Sequence, residues 1–103
     1  METEKGLLLG KGRYRLLRAI QEQGSINKAA QSLHLSYKKA WRQINDINAN
    51  ASEEVVKRSI GGKGGGGTHL TAFGRELLEG YEALERSCDL FLKQQAELLF
   101  NEI

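Results

Sequence analysis

A run of seven residues at positions 61–67 holds six glycines and one lysine, and it limits what this chain can fold into more than any other segment. Glycine lets the backbone turn sharply, and a run of glycines has no side chains with which to pack a core. The flanking segments, residues 55–60 and 68–70, are short and partly β-branched, as strands are. The sequence therefore predicts a basic β-hairpin with its tip at residues 61–67.

Three helical segments are expected before this hairpin. Apolar residues recur there at helical spacing, and the predicted bounds are Lys11 to Gln23, Ile26 to Leu33, and Tyr37 to about Asn48. Gly24 is suited to end the first helix, while Ser25 and Ser36 are suited to cap the next two through their hydroxyl groups. Residues 48–50 are expected to break the third helix. Residues 1–10 are ambiguous, since Leu7-Leu8-Leu9 fits either a short strand or a segment laid against the core.

The third helix is expected to have an apolar face and a basic face. The apolar face comprises Tyr37, Ala40, Trp41, Ile44 and Ile47. The opposite face carries Lys38, Lys39 and Arg42. A helix, a short turn and a basic second helix are typical of a helix-turn-helix, whose second helix enters the major groove of DNA. We expect these three cations to contact DNA, Arg42 by pairing with guanine, and a merely solvated basic face is the alternative.

Other residues are candidates for DNA contact by their position. Helix starts offer free N–H groups that suit phosphate, although the two serines there act as caps first; these candidates are Ser25, Lys28 and Ser36. The hairpin contributes Arg58, Lys63 and Gly64, of which the lysine can reach the minor groove or the adjacent backbone. Tyr37 is also a candidate, although for Tyr37 and Trp41 packing in the core competes with base stacking.

Charge is distributed unevenly along the chain. Residues 1–70 hold 12 Lys and Arg against 6 Asp and Glu, a net charge of +6, whereas residues 71–103 have a net charge of −4. A basic front half favours a polyanionic partner, and a chance asymmetry of solvated faces is the alternative. We therefore expect residues 1–70 to bind DNA and residues 71–103 to serve another purpose within the same domain.

A fourth, long helix is predicted after Thr71, which can cap it. Its apolar positions alternate by four and three residues in a heptad seam formed by Leu77, Tyr81, Leu84, Cys88, Phe91, Gln95 and Leu98. A helix of about 28 residues would be ~42 Å long, too long to be buried on a body of this size. We expect it to pair with a second copy, and packing within the chain with a frayed end is the alternative. Cys88 is expected to be a small buried seam residue, with a disulfide across the dimer as the alternative.

Four blocks of sequence, taken in order, carry a family resemblance. They are Gly24-Ser25-Ile26-x-x-Ala29-Ala30, Ser36-Tyr37-Lys38-x-Ala40-Trp41-x-x-Ile44-Asn45, the glycine run at 61–67, and Leu70-Thr71-x-x-Gly74. Together they resemble the N-terminal DNA-binding half of molybdate-responsive transcription regulators of the ModE type, and more distantly the winged helix of LysR-type regulators. The resemblance covers residues 11–80 and the character of the last helix. The second and third blocks are specific, whereas the first fits many helix-turn-helix proteins.

This resemblance implies a mainly α (α+β) fold, a winged helix-turn-helix with a two-stranded wing and a long C-terminal dimerisation helix. It implies a transcription regulator that binds double-stranded DNA as a homodimer. The single cysteine excludes an internal disulfide and suits a reducing cytoplasm. It does not carry over a molybdate site, because the sequence stops at Ile103, before the β-rich region that binds molybdate in larger members. The alternatives are an accessory subunit that pairs with a longer ModE-type regulator, and a protein that coats DNA without regard to sequence.

Enzymatic and membrane roles are disfavoured by the residues present. The glycine run matches a dinucleotide fingerprint only trivially, and no phosphate-binding Gly-Lys-Ser/Thr sequence occurs. His34 and His69 are isolated, and one cysteine provides no zinc set. No apolar run approaches the ~20 residues of a membrane span. We therefore expect no catalytic residues, no metal, no cofactor and no membrane partner.

Overall fold

The computed structural model describes residues 1–59 and 67–101, and it confirms the predicted winged helix-turn-helix. In chain order its elements are β1 (Glu2–Thr3), β2 (Gly6–Leu7), α1 (Lys11–Gln23), α2 (Ile26–Ser32), α3 (Tyr37–Asn50), β3 (Val56–Ser59), β4 (Gly67–Leu70) and α4 (Ala72–Asn101). Most of the predicted hairpin tip, including Lys63 and Gly64, lies outside the described residues.

The core lies between the first three helices, the base of the wing and the first turns of α4. Its fully buried large side chains are Leu9, Leu16, Leu17, Ile20, Ile44, Ile47, Val55 and Leu78. Ala29, Ala30 and Ala40 are also buried, and their small side chains let α2 and α3 approach closely. The helical spacing of these apolar residues therefore positions α3 with one face on the core and the other in solvent.

The wing is an antiparallel pair of strands held against the helices. In its register, Val56 pairs with Leu70 and Arg58 with Thr68. The Thr68 N–H also donates to the carbonyl oxygen of Gly24, at 3.0 Å, which ties β4 to the end of α1. Gly24 ends that helix in the left-handed region, with a φ of 66°, as its prediction as a helix terminator requires.

The prediction that residues 48–50 break the third helix is wrong. Helix α3 continues to Asn50, because Asn48 directs its side chain to the next strand rather than to its own helix backbone. Its Oδ1 accepts from the N–H groups of Val55 (2.8 Å) and Val56 (3.1 Å), and its Nδ2 donates to the Val56 carbonyl oxygen (3.1 Å). Asn48 thus joins the end of the third helix to the start of the wing.

The first ten residues form a small hairpin on the end of α3. The Thr3 hydroxyl donates to the Asn50 carbonyl oxygen, and the Asn50 side-chain amide donates to the Leu7 carbonyl oxygen, both at 2.7 Å. Leu8 and Leu9 follow and are buried in the core. This segment therefore combines both possibilities that the sequence left open, a strand and a piece of chain laid against the core.

Helix α4 is capped as predicted, since the Thr71 Oγ1 accepts from the Gly74 N–H at 2.9 Å. Its first turns contact α1 through Tyr14, whose hydroxyl donates to Glu82 at 2.8 Å and whose ring lies 5.3 Å from that of Tyr81. The hydrogen bond to the Glu82 carboxylate and burial together raise the pKa of Tyr14. Within the described residues, no helix is both long and apolar enough to span a membrane.

The predicted heptad seam lies partly on the body and partly in solvent. Tyr81 is buried and Leu77 is half-buried against the core. The later seam positions Leu84, Cys88, Phe91, Gln95 and Leu98 are exposed on the single chain. Cys88 is therefore not buried by its own chain, so its predicted burial requires a partner helix.

Candidate nucleic-acid interface

Helices α2 and α3 are joined by a tight turn, and both begin with the predicted serine caps. The Ser25 Oγ accepts from the Lys28 N–H at 3.2 Å, and the Ser36 Oγ accepts from the Lys39 N–H at 3.0 Å. Each hydroxyl therefore satisfies one of the free backbone donors at its helix start. Lys28 is exposed beyond the first of these caps.

The turn between the two helices is fixed by the backbone. The Leu35 N–H donates to the Ala30 carbonyl oxygen at 2.9 Å, and the side chains of Leu33 and Leu35 pack against the core. His34 lies between them with a φ of 57°, the only non-glycine residue at positive φ within the described part of the chain. This turn sets the direction in which α3 leaves α2.

Three cations stand together on the solvent side of α3. Lys38, Lys39 and Arg42 are all exposed, and their spacing places each lysine within one helical turn of the arginine. Asp46, one turn further, forms an ion pair with Arg13 of α1 at 3.6 Å, and the Arg13 side chain is only 16% exposed. The nearest carboxylate of α3 is thereby engaged by the body of the protein, and the exposed face at the start of the helix stays basic.

The prediction that Tyr37 lies on the buried face of α3 is wrong. Its side chain is 45% exposed, although its direction around the helix is that of the buried Ile44. A side chain in a helix leans toward the N-terminus, so Tyr37, as the first residue, extends past the edge of the core. Its ring meets Trp41 edge-on, with centroids 6.2 Å apart and planes 82° apart. Tyr37 is therefore available to a ligand at the start of α3.

The wing places one cation, Arg58, against α3 and carries Lys57 and His69 in solvent. The Arg58 guanidinium carbon lies 4.9 Å from the centre of the Trp41 ring, within the range of a cation–π contact. Lys57 and His69 pair across the two strands, and both are exposed. Sequence reasoning did not select Lys57, His69 or Trp41 for the site. Side chains alternate along β3, so Lys57 and Arg58 lie on opposite faces of the wing. Which of the two faces the helices is known only once the strand register is known.

The arrangement suits a polyanion better than a small molecule. It presents an exposed basic helix face, capped helix starts and a wing bearing positive charge, and an α-helix fits the major groove of DNA. In the described ranges, 1–59 and 67–101, His, Cys, Asp and Glu side chains form no cluster of three that could hold a metal ion. The contacts of the individual residues with DNA stay predictions.

Comparison with protein families gives one match that covers more than half of the chain. Residues 12–75 match the model of the bacterial regulatory helix-turn-helix proteins of the lysR family. This segment runs from the start of α1 to the first turn of α4, and it includes both the helix-turn-helix and the wing.

Similar proteins are longer than this chain. The molybdenum transport protein ModE of Azotobacter vinelandii is 45% identical over 103 residues, which is 100% of this chain and 38% of that protein. The DNA-binding transcriptional dual regulator ModE of Escherichia coli K12 is 38% identical over 84 residues, 82% of this chain and 32% of that protein. The matched part of this chain thus spans 32–38% of the length of these relatives.

Among solved structures, a complex of the CbnR DNA-binding domain with DNA is similar throughout its fold. The TM-score is 0.66 at 25% sequence identity, and the match covers 87% of this chain and 99% of that chain. The predicted resemblance to ModE-type and LysR-type regulators is confirmed by these comparisons.

Proposed function

The chain belongs to the bacterial regulatory helix-turn-helix proteins of the LysR family, and we propose that it is a ModE-type transcription regulator that binds operator DNA as a homodimer. The observation that carries this proposal is the exposed basic face of α3, formed by Lys38, Lys39 and Arg42. The names of its relatives and the DNA-bound CbnR domain support the same activity. Because the chain spans only part of those relatives, the proposal is confined to DNA binding and dimerisation.

In this proposal α3 lies in the major groove and selects the sequence. Arg42 can pair bidentately with a guanine, and Lys38 and Lys39 can reach either guanine or phosphate. Ser36 and Tyr37 lie at the start of α3 and Ser25 and Lys28 at the start of α2, and all four would meet the DNA backbone. The wing, with Arg58 and the predicted tip residues Lys63 and Gly64, would follow the adjacent backbone or minor groove. Phosphate contacts supply the affinity and make it sensitive to salt.

The second half of α4 supports the proposal of a homodimer. Five apolar side chains on one side of this helix, here called the α4 stripe, are between 51% and 64% exposed: Leu84, Phe91, Leu92, Leu98 and Leu99. They continue the face that Leu77 and Tyr81 bury against the core. A contiguous apolar stripe at heptad spacing is typical of a helix that pairs with another. We propose that residues 71–103 pair two copies, while residues 1–70 contact DNA.

Two copies related by a two-fold axis would present two α3 helices to one face of a duplex. The operator would then be approximately two-fold symmetric, with half-sites one or more helical turns apart. The protein would act in the cytoplasm, where a bacterial regulator meets the chromosome.

The first experiment is fluorescence anisotropy at physiological salt with two labelled duplexes. One carries the region upstream of the protein's own coding sequence, and the other carries the same bases in scrambled order. We expect binding to the first duplex to be tighter by ~10³-fold or more. Equal, weak and strongly salt-dependent binding to both would indicate a protein that coats DNA, and no binding at low salt would refute the proposal.

Arg42→Ala tests the predicted role of α3 in sequence selection. We expect a loss of about 1–3 kcal/mol on the native duplex and a much smaller loss on the scrambled duplex, because a base contact is removed. Arg86→Ala is the control, since Arg86 is also exposed but lies on α4, away from the α4 stripe. Equal losses on the two duplexes would remove Arg42 from the reading role.

A further inference from the structure

The side chain of Arg58 is exposed, like that of Lys57, but it lies on the face of the wing that is directed toward the helices, where it contacts Trp41. Side chains alternate along a strand, so Arg58 shares its face with Val56, while Lys57 lies on the other face. Val56 and its partner Leu70 are buried, and so is Thr68, the partner of Arg58. Lys57 and its partner His69 are both exposed. The wing therefore has one cation, Arg58, on its packing face and another, Lys57, on its outer face.

On that inner face Arg58 contacts α3 through Trp41. The guanidinium carbon lies 4.9 Å from the ring centre, and Tyr37 meets the same indole edge-on. Trp41 is itself half-buried and packs against the core. Among the described residues no carboxylate forms an ion pair with Arg58. A guanidinium lying over an aromatic ring keeps N–H donors at its edge for other partners.

The contact between Arg58 and Trp41 adds to hydrogen bonds that attach the wing elsewhere. Asn48 holds the start of β3 to the end of α3, and the Thr68 N–H holds β4 to Gly24. Arg58 lies further along β3 than Asn48's partners, closer to the tip. Without its contact to Trp41, β3 would be tied to α3 only at its beginning. The Trp41–Arg58 contact is thus a second link between β3 and α3, at the level of the wing where Thr68, the partner of Arg58, holds β4 to the end of α1.

We propose that Trp41 is a positioning residue for DNA binding, which acts through Arg58 to hold the wing at a fixed angle to α3. A wing held in this way lets α3 and the wing meet one duplex together, with little ordering left to occur on binding. This inference rests on the proposed function, because it assigns a role within DNA binding. It gives Arg58 a task that Lys57, with the same charge, cannot perform from the outer face.

The contact can be tested in the free protein, because Trp41 is the only tryptophan of the chain. We expect Arg58→Gln to change the emission spectrum of Trp41 and its quenching by iodide, since the guanidinium no longer covers the ring. The matched control is Lys57→Gln, which removes the same charge from the neighbouring residue and should leave the emission unchanged. Identical spectra for Arg58→Gln and the wild type would overturn the inference. Circular dichroism of each variant verifies that the fold is retained.

The role in DNA binding is tested by a double-mutant cycle on the operator duplex. We expect Arg58→Gln to weaken binding about tenfold and Lys57→Gln about threefold, because only the first removes both a charge and the stacking contact. In the Trp41→Leu background, the effect of Arg58→Gln should fall to that of Lys57→Gln. Additive losses would overturn the inference, even if all variants bind DNA.

Two conservative variants separate positioning from charge and from packing. Arg58→Lys keeps the charge, so the slope of affinity against salt should be preserved while the affinity falls, since an ammonium cannot lie flat on the indole. Trp41→Phe keeps an aromatic face and should bind within about threefold of the wild type. Full recovery by Arg58→Lys would show that only charge matters and would overturn the inference. A wild-type protein that binds neither duplex would instead refute the proposed function.

Discussion

The backbone angle of His34, in the turn between α2 and α3, limits the stability of the protein. Its φ of 57° lies in the left-handed region, which costs an ordinary residue about 1–2 kcal/mol. We expect His34→Gly to raise the free energy of unfolding by about 0.5–1 kcal/mol, because part of this gain is offset by the greater freedom of glycine in the unfolded chain. Urea denaturation measures the change. His34→Ala, which keeps the strain, should give no gain, and an equal gain would show that the imidazole rather than the backbone is responsible.

Gly74 is required by a close approach between α4 and the start of the wing. A Cβ added at this position would collide with the carbonyl oxygen of Val55. We expect Gly74→Ala to lower the free energy of unfolding by about 1–3 kcal/mol, as overpacking of a backbone contact does. Gly80→Ala in the same helix is the control, since nothing lies within 4 Å of its added Cβ. That change should stabilise the protein by about 0.5–1 kcal/mol, and a stable Gly74→Ala variant would contradict the contact.

At the residue scale, the contacts that could be predicted from the sequence are those between residues close together in the chain. The caps Ser25, Ser36 and Thr71 were predicted and are confirmed, since each hydroxyl accepts from the N–H three residues later. The exposure of Tyr37 was not predicted, because periodicity gives the direction of a side chain but not where the core ends. The stacking of Arg58 on Trp41 depends on the strand register, which a single sequence does not define.

At the element scale, Asn48 determines how α3 is joined to the wing. Its amide makes hydrogen bonds with three backbone groups at the start of β3. We expect Asn48→Ala to lower the free energy of unfolding by about 1–3 kcal/mol, because partly buried backbone groups lose their partners. Chemical denaturation monitored by circular dichroism measures the loss.

The matched control for Asn48 is Asn45→Ala on the same helix. Asn45 is exposed, so its replacement should change stability by no more than about 0.5 kcal/mol. Equal losses for the two variants would mean that the asparagines act through helix propensity and not through the link to the wing.

Most helices and strands were predictable from the sequence, whereas the end of α3 and the N-terminal hairpin were not. The bounds of α1, the two-stranded wing and the capped fourth helix follow from local patterns, and all three predictions are confirmed. The end of α3 was predicted two residues early, because asparagine is a good helix terminator unless its side chain finds a partner elsewhere. A short strand near the N-terminus was one of two possibilities, but its pairing as the hairpin β1–β2 was not predicted, since it depends on Asn50, which is distant in sequence.

At the scale of the whole molecule, the shape and the charge point to separate roles for its two ends. The described chain extends 63 × 29 × 22 Å, and α4, at ~45 Å for its 30 residues, accounts for most of the long dimension. The helix-turn-helix and wing lie in the basic part of the sequence, whereas residues 71–103 have a net charge of −4. An acidic helix that extends from a basic head is poorly suited to lie along DNA, and its exposed apolar stripe is suited to a second protein helix.

Phe91 and Leu90 test which side of α4 pairs with another copy. Both side chains are 58% exposed, but Phe91 lies in the α4 stripe and Leu90 lies outside it. We expect Phe91→Glu to weaken dimerisation by roughly 100-fold or more, because each of the two copies loses a buried aromatic side chain worth about 1.5–3 kcal/mol. Leu90→Glu should leave the protein dimeric. Sedimentation equilibrium and native mass spectrometry at micromolar concentration measure both.

The same variants link assembly to DNA binding. If two heads must engage two half-sites, Phe91→Glu should bind the operator far more weakly than Leu90→Glu and should lose its preference for paired half-sites over a single one. A Phe91→Glu protein that stays dimeric would exclude the α4 stripe as the interface. The wild-type protein could instead be monomeric alone but dimeric when mixed with a longer ModE-type regulator. That result would support the accessory-subunit alternative over the homodimer, with the α4 stripe still the pairing surface.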